Sequence, residues 1–374
     1  MTRPLTIVPV LGMPEVHEGD DVAGLVLAAL GETSLAPGDV VVVSSKVVSK
    51  ALGLTGVGSD KSVLVQGESV RVVAERTSGD RITRVVEALA GPVMAAAGID
   101  GSNTGPSGSL LLLPHDPDAC ARALRAALLS LSGMPPSAPL AVVLSDTAGR
   151  PWRAGLTDFA LGAAGLRVLL DHRGETDADG RVMSVTARAV ADEIAAAADL
   201  VKGKADGVAA ALVRGLPESW FEDGSEHELA SGARQLVRTG TGDWFALGHV
   251  EALRQALGVA PGSPESEAVG IRSVAPEAFA ARVARVVALT LFADEDASAD
   301  LEVATTGGDP ASDTEGMATV TLGAADDYAL GRLTQRLEIA AASEDLHAAL
   351  TGEPTAEHSV TVSLSTSVSP SPMA

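Results

Sequence analysis

The segment at 145–153 combines residue types that bind phosphates and divalent cations. Ser145, Asp146 and Thr147 directly follow residues 140–144, a Leu- and Val-rich run that predicts a buried strand. A carboxylate beside a hydroxyl at the end of a strand can bind a hard cation through oxygen. Arg150 and Arg153 come next and could hold a phosphate or a carboxylate through paired hydrogen bonds. The alternative is a polar turn with solvated arginines, because short motifs often occur by chance.

Lysine is scarce in this chain, which has 22 arginines but only five lysines. A lysine retained in such a chain suits a site that needs a compact ammonium charge. Four of the five lysines form two close pairs, namely Lys46 with Lys50 and Lys202 with Lys204.

Each lysine pair follows an element that could position it. The first pair lies in the segment SSKVVSK, directly after a predicted buried strand at 40–43, where hydroxyl, backbone N–H and ammonium groups could bind an anion. The second pair follows a predicted helix at 192–200, and there the helix macrodipole is a sufficient alternative explanation. No Walker A motif occurs in the sequence.

A glycine turn, IDGSN, places Asp100 close to Asn103. Both side chains could face one ligand, although Asp and Asn are also common turn residues. Before this turn, the spacing of apolar residues predicts a helix at 68–76 and a strand at 81–85.

Composition limits the class of protein. A chain of 374 residues with 46% hydrophobic residues is long enough for two globular domains, and its net charge of −22 argues against a broad nucleic-acid surface. The single cysteine, Cys120, excludes an internal disulfide and a cysteine zinc cage. We find no apolar run of membrane-spanning length and no signal-peptide pattern, so we expect a cytoplasmic protein that binds no membrane.

Composition changes near residue 245, which predicts a first domain at 1–245 and a second, smaller α+β domain at 246–374. Residues 258–268 are rich in Pro, Gly, Ser and Glu, as linkers often are, and the last residues predict a loose tail. We see no internal repeat.

Seven segments together resemble one family, that of the coenzyme F420-0:L-glutamate ligases, over about residues 5–245. In chain order the segments are MPEV, VVSSKVVSK, AAGIDGSN, SDTAGRPWRAG, GAAGL, VADEIAAAADLVKGK and VRG. The resemblance is closest to the actinobacterial type, in which a second domain follows.

The resemblance implies a GTP-dependent, divalent-metal-dependent ligase of coenzyme F420 biosynthesis. Such an enzyme joins L-glutamate to the deazaflavin coenzyme F420-0 through an acyl phosphate and then adds γ-linked glutamates to the tail. The implied fold is a two-part α+β arrangement that works as a homodimer, with Mg²⁺ or Mn²⁺ and additionally K⁺ as cations.

The matching motif positions imply roles for individual residues. The metal ligands would be Asp100, Asp146 and Thr147. The nucleotide contacts would be Met13, Pro14, Glu15, Val16, Ser45, Lys50, Asn103, Lys202, Gly203 and Lys204. From side-chain chemistry we expect Lys50 to stabilise phosphate charge, and Arg150 and Arg153 to hold the acceptor's carboxylates or phosphate.

The second domain resembles nitroreductase-like domains only faintly, in IRSVAPEAF and ALGRLTQRLEIAAASEDL. Its phosphate-binding pattern is reduced to Arg272, with Arg332 and Arg336 on one face of a predicted helix. We therefore expect no FMN here.

Two other functions fit the same residues. One is a metal-dependent kinase or phosphohydrolase that uses the phosphate site without forming an amide. The other is a catalytically idle binding protein.

Overall fold

A computed structural model of the chain describes residues 4–56, 60–78, 81–101, 109–204, 206–222, 232–273, 275–292, 296–305 and 313–366. It divides into two compact units, Met1–Arg238 and Thr239–Ala374. The boundary expected from composition, after residue 245, lies a few residues beyond the observed boundary at Arg238. Both units mix helices with sheets, which confirms the predicted α+β class.

The first unit contains twelve strands and five α-helices within the described residues. The strands are β1 Thr6–Val10, β2 Asp39–Ser44, β3 Thr55–Gly56, β4 Ser69–Ser78, β5 Arg81–Ala88, β6 Val93–Ala95, β7 Leu110–Leu111, β8 Ala141–Arg150, β9 Arg153–Ala164, β10 Leu169–Asp171, β11 Ala187–Ala189 and β12 Ala210–Arg214. The helices are α1 Val22–Leu30, α2 Ser45–Ala51, α3 Lys61–Gly67, α4 Pro117–Leu131 and α5 Val190–Lys202.

A five-stranded sheet in the order β1-β12-β2-β8-β9 forms the centre of this unit. Its pairs are antiparallel except for β2 and β8, which run parallel. Alternate residues of β2 enter two different cores: Val41 and Val43 pack with α1 and α4, whereas Val40 and Val42 pack with α5. Because helices cover both faces, the central strands are continuously apolar.

A smaller antiparallel sheet, β4-β5-β6, has its own core that includes Val86, Met94 and Leu161. Its first strand corrects the helix predicted at 68–76, which was wrong. The valines of SVRVVAE match helical spacing, but the segment pairs with β5 along most of its length and so forms a strand. Tertiary pairing has overridden the local pattern.

The second unit contains a four-stranded antiparallel sheet whose order is β13-β14-β16-β15. The strands are β13 Ser298–Thr305, β14 Gly316–Gly323, β15 Leu346–Leu350 and β16 Ser359–Thr366, and the helices are α6 Gly248–Ala256, α7 Pro264–Val269, α8 Phe279–Leu291 and α9 Asp327–Ser343. Leu289 of α8 and Leu337 of α9 are fully buried against Val320 and Leu364 of the sheet. From α8 onwards the same order of elements occurs twice, as α8-β13-β14 and then as α9-β15-β16. The sequence does not reveal this repetition.

None of the helices among the described residues is both long enough and apolar enough to span a membrane.

Candidate active site

A cavity of about 500 Å³ lies where β2 ends, beside residues 145–147 of the parallel strand β8. Ser44 at the end of β2 is level with Ser145 of β8, so the side chains that follow β2 meet those of residues 145–147. The cavity is lined by Met13, Pro14, Glu15, Val16, Ser44, Lys46, Val47, Lys50, Ser145, Asp146, Thr147, Asp158, Asp199, Lys202, Gly203, Lys204, Gly207, Val208 and Ala209. Ligand sites of α/β proteins commonly lie at such strand ends.

The helix α2 begins directly after β2 and carries the first lysine pair. Lys46 and Lys50 are four residues apart, which places both on one face of the helix. The ammonium group of Lys46 lies 2.7 Å from Oδ2 of Asp100, and that of Lys50 contacts the carboxylate of Glu15. Both lysines are therefore held at the cavity by carboxylates from other parts of the chain.

The sequence had predicted that the strand ends before residues 145–147. In the structure these residues instead continue the strand. β8 runs on to Arg150 and forms a long hairpin with β9 that turns at Pro151 and Trp152. Within this hairpin Thr147 lies opposite Asp158. The strand geometry thus places an acid directly across from a predicted metal ligand.

Asp158 is buried and receives four polar contacts, which we call the Asp158 network. Its Oδ2 accepts hydrogen bonds from Oγ of Ser145 at 2.9 Å and from Nζ of Lys202 at 2.7 Å. Its Oδ1 accepts one from Oγ1 of Thr147 at 2.6 Å and lies 3.6 Å from Nζ of Lys204. Burial opposes ionisation of this carboxyl, but Lys202 and the two hydroxyl groups together hold its pKa below the ordinary value.

The two lysines of the second pair have different environments. The side chain of Lys202 is only 4% exposed, and its ammonium group bonds to Asp158 and, at 2.7 Å, to Oγ of Ser145. The side chain of Lys204 is 61% exposed, contacts the hydroxyl of Thr147 and lies 3.9 Å from Oδ1 of Asp199. Only Lys204 presents its charge to solvent.

Asp146 has the opposite electrostatic situation to Asp158. Burial raises the pKa of its carboxyl to about 6, although the Thr147 backbone N–H, the Ser45 hydroxyl and Lys46 act against this. No salt bridge within 4 Å reaches Asp146 from the described part of the chain. The buried hydroxyl of Ser45 has no hydrogen-bond partner of good geometry there either. The Asp146 carboxylate and the Ser45 hydroxyl are both hard oxygen donors of the kind that divalent cations prefer.

Most of the residues singled out from the sequence lie at this cavity. Ser45 and Asp100 do not line the cavity themselves. Each contacts a lining residue, Ser45 through the carboxyl of Asp146 and Asp100 through the ammonium group of Lys46. Arg150 and Arg153 lie opposite each other at the exposed tip of the β8–β9 hairpin, outside the lining. Asn103 falls outside the described residues.

Sequence reasoning missed Asp158 and Asp199. The signal for Asp158 is a single acid within LTDFALGAA, an otherwise apolar strand. An unpaired carboxylate is expensive to bury, so such an acid indicates a buried cation elsewhere in the chain. That cation, Lys202, is 44 residues away, and only the folded structure reveals the pairing.

Comparison with known proteins finds similar proteins in three archaea. Coenzyme F420:L-glutamate ligase of Methanothermobacter thermautotrophicus is 40% identical over 235 residues, covering 57% of this chain and 90% of the relative. The proteins of the same name from Natronomonas pharaonis and Haloarcula marismortui are 37% and 38% identical over 265 residues each, covering 64% of this chain and 96% and 98% of the relatives.

A family model described as F420-0:Gamma-glutamyl ligase matches residues 11–215. The match begins just before the Met13–Val16 segment and ends just after β12, so it contains every residue that lines the cavity. The second unit lies outside it. The chain therefore belongs to the F420-0:gamma-glutamyl ligase family and is a ligase.

Proposed function

We propose that this ligase uses GTP to add L-glutamate to coenzyme F420-0, and then further γ-linked glutamates to its tail, through an acyl phosphate. The observation that carries the proposal is the cavity at the end of β2 and beside the middle of β8, which is lined by Lys46, Lys50, Lys204 and the carboxylate of Asp146. Phosphoryl transfer requires alignment and charge neutralisation more than covalent catalysis, and this arrangement offers both.

The proposed reaction has two steps. A carboxylate oxygen of the acceptor attacks the γ-phosphorus of GTP, the bond to the β,γ-bridging oxygen breaks, and GDP leaves. The amine of L-glutamate then attacks the acyl carbon, loses a proton and expels inorganic phosphate. Lys50 and Lys204 would stabilise charge on the phosphates during the first step. Lys50 must then exchange its contact with Glu15 for a phosphate oxygen.

Asp146 is the residue best suited to hold Mg²⁺ or Mn²⁺. Its half-buried carboxylate has no direct ion-pair partner among the described residues and lies beside the buried Ser45 hydroxyl, and these hard oxygen donors suit either ion. Thr147 could add its hydroxyl. Asp100 could add a carboxylate if Lys46 released it. When bound, the ion would neutralise phosphate charge.

Arg150 and Arg153 are proposed to hold the acceptor. They lie at the tip of the hairpin that carries Asp146 in its middle, and both are exposed. Their guanidinium groups can bind the acceptor's phosphate or carboxylates in a bidentate manner.

Incubation with GTP, Mn²⁺, L-glutamate and F420-0 tests the proposed function. We expect a mass gain of one or more glutamyl units in the deazaflavin, with one GDP released for each. GTP loss without a mass gain would instead indicate a kinase or phosphohydrolase. No change in either compound would indicate a protein that only binds.

We also propose that the chain forms a homodimer, and the edge strand β4 supports this. Val70, Val72 and Val73 are 60%, 44% and 41% exposed along this strand. Arg71 and Glu75 lie two positions on either side of Val73, and their side chains are 47% and 55% exposed. Two copies of β4 running antiparallel about Val73 would place each arginine opposite the other copy's glutamate.

Light scattering of the purified chain tests this interface. We expect a dimer that Val72→Lys converts to a monomer, because a charge would face an apolar surface. Val185→Lys serves as the control, because Val185 is 86% exposed and lies in a loop outside β4. This variant should leave the dimer intact. A monomeric chain, or a dimer that survives Val72→Lys, would refute the assignment.

A further inference from the structure

We infer that Asp158 is a positioning residue for nucleotide binding. It acts indirectly, by orienting the hydroxyl of Thr147 and the ammonium group of Lys204. The inference rests on the proposed function, because it assigns to Lys204 the task of binding the phosphates. No motif in the sequence suggested Asp158, although Ser145, Thr147, Lys202 and Lys204, which contact it, lie in motifs. The structure assigns Lys202 a different role from its neighbour, that of buried counter-ion to Asp158.

The burial of Lys202 is the first step of the argument. Its side chain is 4% exposed, and its ammonium group already bonds to Ser145 Oγ and Asp158 Oδ2, both at 2.7 Å. A phosphate could reach it only by breaking a buried ion pair. Because breaking a buried ion pair leaves an uncompensated charge on Asp158, direct phosphate binding by Lys202 is opposed. Lys202 therefore neutralises Asp158 and does not bind ligand.

The second step concerns the direction of the Thr147 hydroxyl. Its Oγ1 donates to Oδ1 of Asp158 at 2.6 Å, which fixes where the proton lies. The lone pairs of the oxygen must then point away from Asp158, and one of them accepts the hydrogen bond from Lys204. Such outer partners orient ligand oxygens in known metal and phosphate sites.

The third step is the position of Lys204. Its side chain is 61% exposed, yet its ammonium group is held by the Thr147 hydroxyl, with carboxylate oxygens of Asp158 and Asp199 at 3.6 and 3.9 Å. A long lysine side chain on the surface is normally free to sample many rotamers. Here it is held in place at the cavity before any ligand arrives, and such preorganisation lowers the entropic cost of binding.

The position of Asp158 in the hairpin explains why a carboxylate is needed. It lies directly across β8–β9 from Thr147, and its two oxygens serve opposite sides: Oδ2 binds Lys202 in the interior and Oδ1 faces the cavity. An amide of the same shape would offer one acceptor and one donor, so either Lys202 or Thr147 would meet a donor. Loss of the charge would also release Lys204.

Two variants and a control pair test the inference through binding, without turnover. The variants are Asp158→Asn, and Asp158→Asn combined with Lys202→Met, which removes both buried charges and should recover much of the stability lost in the single variant. The control is Asp39→Asn with Arg214→Met. That pair joins a fully buried carboxylate to an arginine at 2.7 and 2.8 Å at the opposite end of β2, away from the cavity.

The measurements are the melting temperature and the Kd values for GTP and for inorganic tripolyphosphate, each with Mn²⁺. We expect both Asp158 variants to bind either probe about tenfold or more weakly, the factor that corresponds to losing one charge-assisted hydrogen bond. The control pair should bind as the wild type does, whatever its melting temperature.

The outcomes separate this inference from the proposed function. If the double variant binds GTP as tightly as the wild type, the Asp158 network is purely structural and the inference is wrong. If the wild type binds tripolyphosphate but not GTP, and the variants lose that binding, the inference holds while the proposed nucleotide is wrong. If the wild type binds neither probe, both are refuted.

Discussion

Replacing Asp146 with Asn should make the metal-free protein more stable while abolishing its response to Mn²⁺. The side chain of Asp146 is partly buried, and this burial raises the pKa of its carboxyl from 3.8 to about 6. The difference between these two values corresponds to about 3 kcal/mol that the ionised group costs the folded state, as an upper bound. The isosteric Asn removes this cost.

The pH dependence follows from the direction of the pKa change. Below pH 4 the carboxyl is protonated in both the folded and the unfolded chain, so it affects stability little. Between pH 4 and 6 the unfolded chain ionises first, and the wild type loses stability as the pH rises. The advantage of Asp146→Asn should therefore grow over this interval and stay constant above it. At about 2–4 °C per kcal/mol for a unit of this size, the gain at pH 8 is at most about 12 °C.

The assay is thermal unfolding at pH 4, 6 and 8, with EDTA or with Mn²⁺. Mn²⁺ should raise the melting temperature of the wild type but not of Asp146→Asn, and ligase activity should be lost. The matched control is Asp192→Asn. Burial also raises the pKa of that carboxyl, which accepts a hydrogen bond from the Ala160 N–H at 2.9 Å outside the cavity. The control should keep both the Mn²⁺ response and activity. If Asp146→Asn melts lower than the wild type in EDTA at pH 8, or still responds to Mn²⁺, the assignment is wrong.

Three other outcomes are expected. Gly162→Ala should lower the free energy of unfolding, measured in urea, by about 1–3 kcal/mol, because the new Cβ would lie 2.4 Å from the Pro117 carbonyl oxygen. In the control Gly67→Ala the new Cβ has no atom within 4 Å, so the free energy of unfolding should not fall in this way. Changing Arg150 and Arg153 together to Ala should raise KM for F420-0 at least several-fold while KM for GTP stays constant, and equal rises in both would contradict their role as acceptor contacts. The full chain should purify without colour, and a chain of residues 1–245 should keep GTP-dependent ligation; stoichiometric FMN that is lost on truncation would contradict this.

The expectation about FMN gains support from what the arginines of the second unit do. Arg336 donates hydrogen bonds to the carbonyl oxygens of Leu257, Leu289, Thr290 and Phe292 at 3.0–3.1 Å. Arg272 bonds to the carbonyl oxygen of Ser343 and the carboxylate of Asp345, and Arg332 lies over the ring of Tyr328. These side chains stabilise the unit itself, so a phosphate would compete with existing partners.

Local sequence predicted those elements whose patterns are uninterrupted. The apolar runs at 40–43 and 140–144 are strands because helices cover both faces of their sheet. The segment at 68–76 could not be predicted correctly, because its valines fit either period and its pairing with β5 decides. The extension of β8 through Asp146 likewise depends on β9.

The candidate site shows the same division between local and long-range information. Motifs identified the lysine pairs and the polar residues that follow β2, because these are contiguous in sequence. They could not assign different roles to Lys202 and Lys204, which are two residues apart and chemically identical. That difference arises because one side chain points into the sheet towards Asp158 while the other remains at the surface.

The balance of charge at the cavity connects the metal to the nucleotide. Four lysines and four carboxylates line it, the latter being Glu15, Asp146, Asp158 and Asp199. The cavity is thus neutral on balance in a chain of net charge −22, and a triphosphate entering it would bring several uncompensated negative charges. Lys202 is already committed to Asp158, which leaves even less positive charge for the ligand. A divalent cation on Asp146 would supply the missing charge, so the nucleotide should enter together with its metal and bind weakly without it.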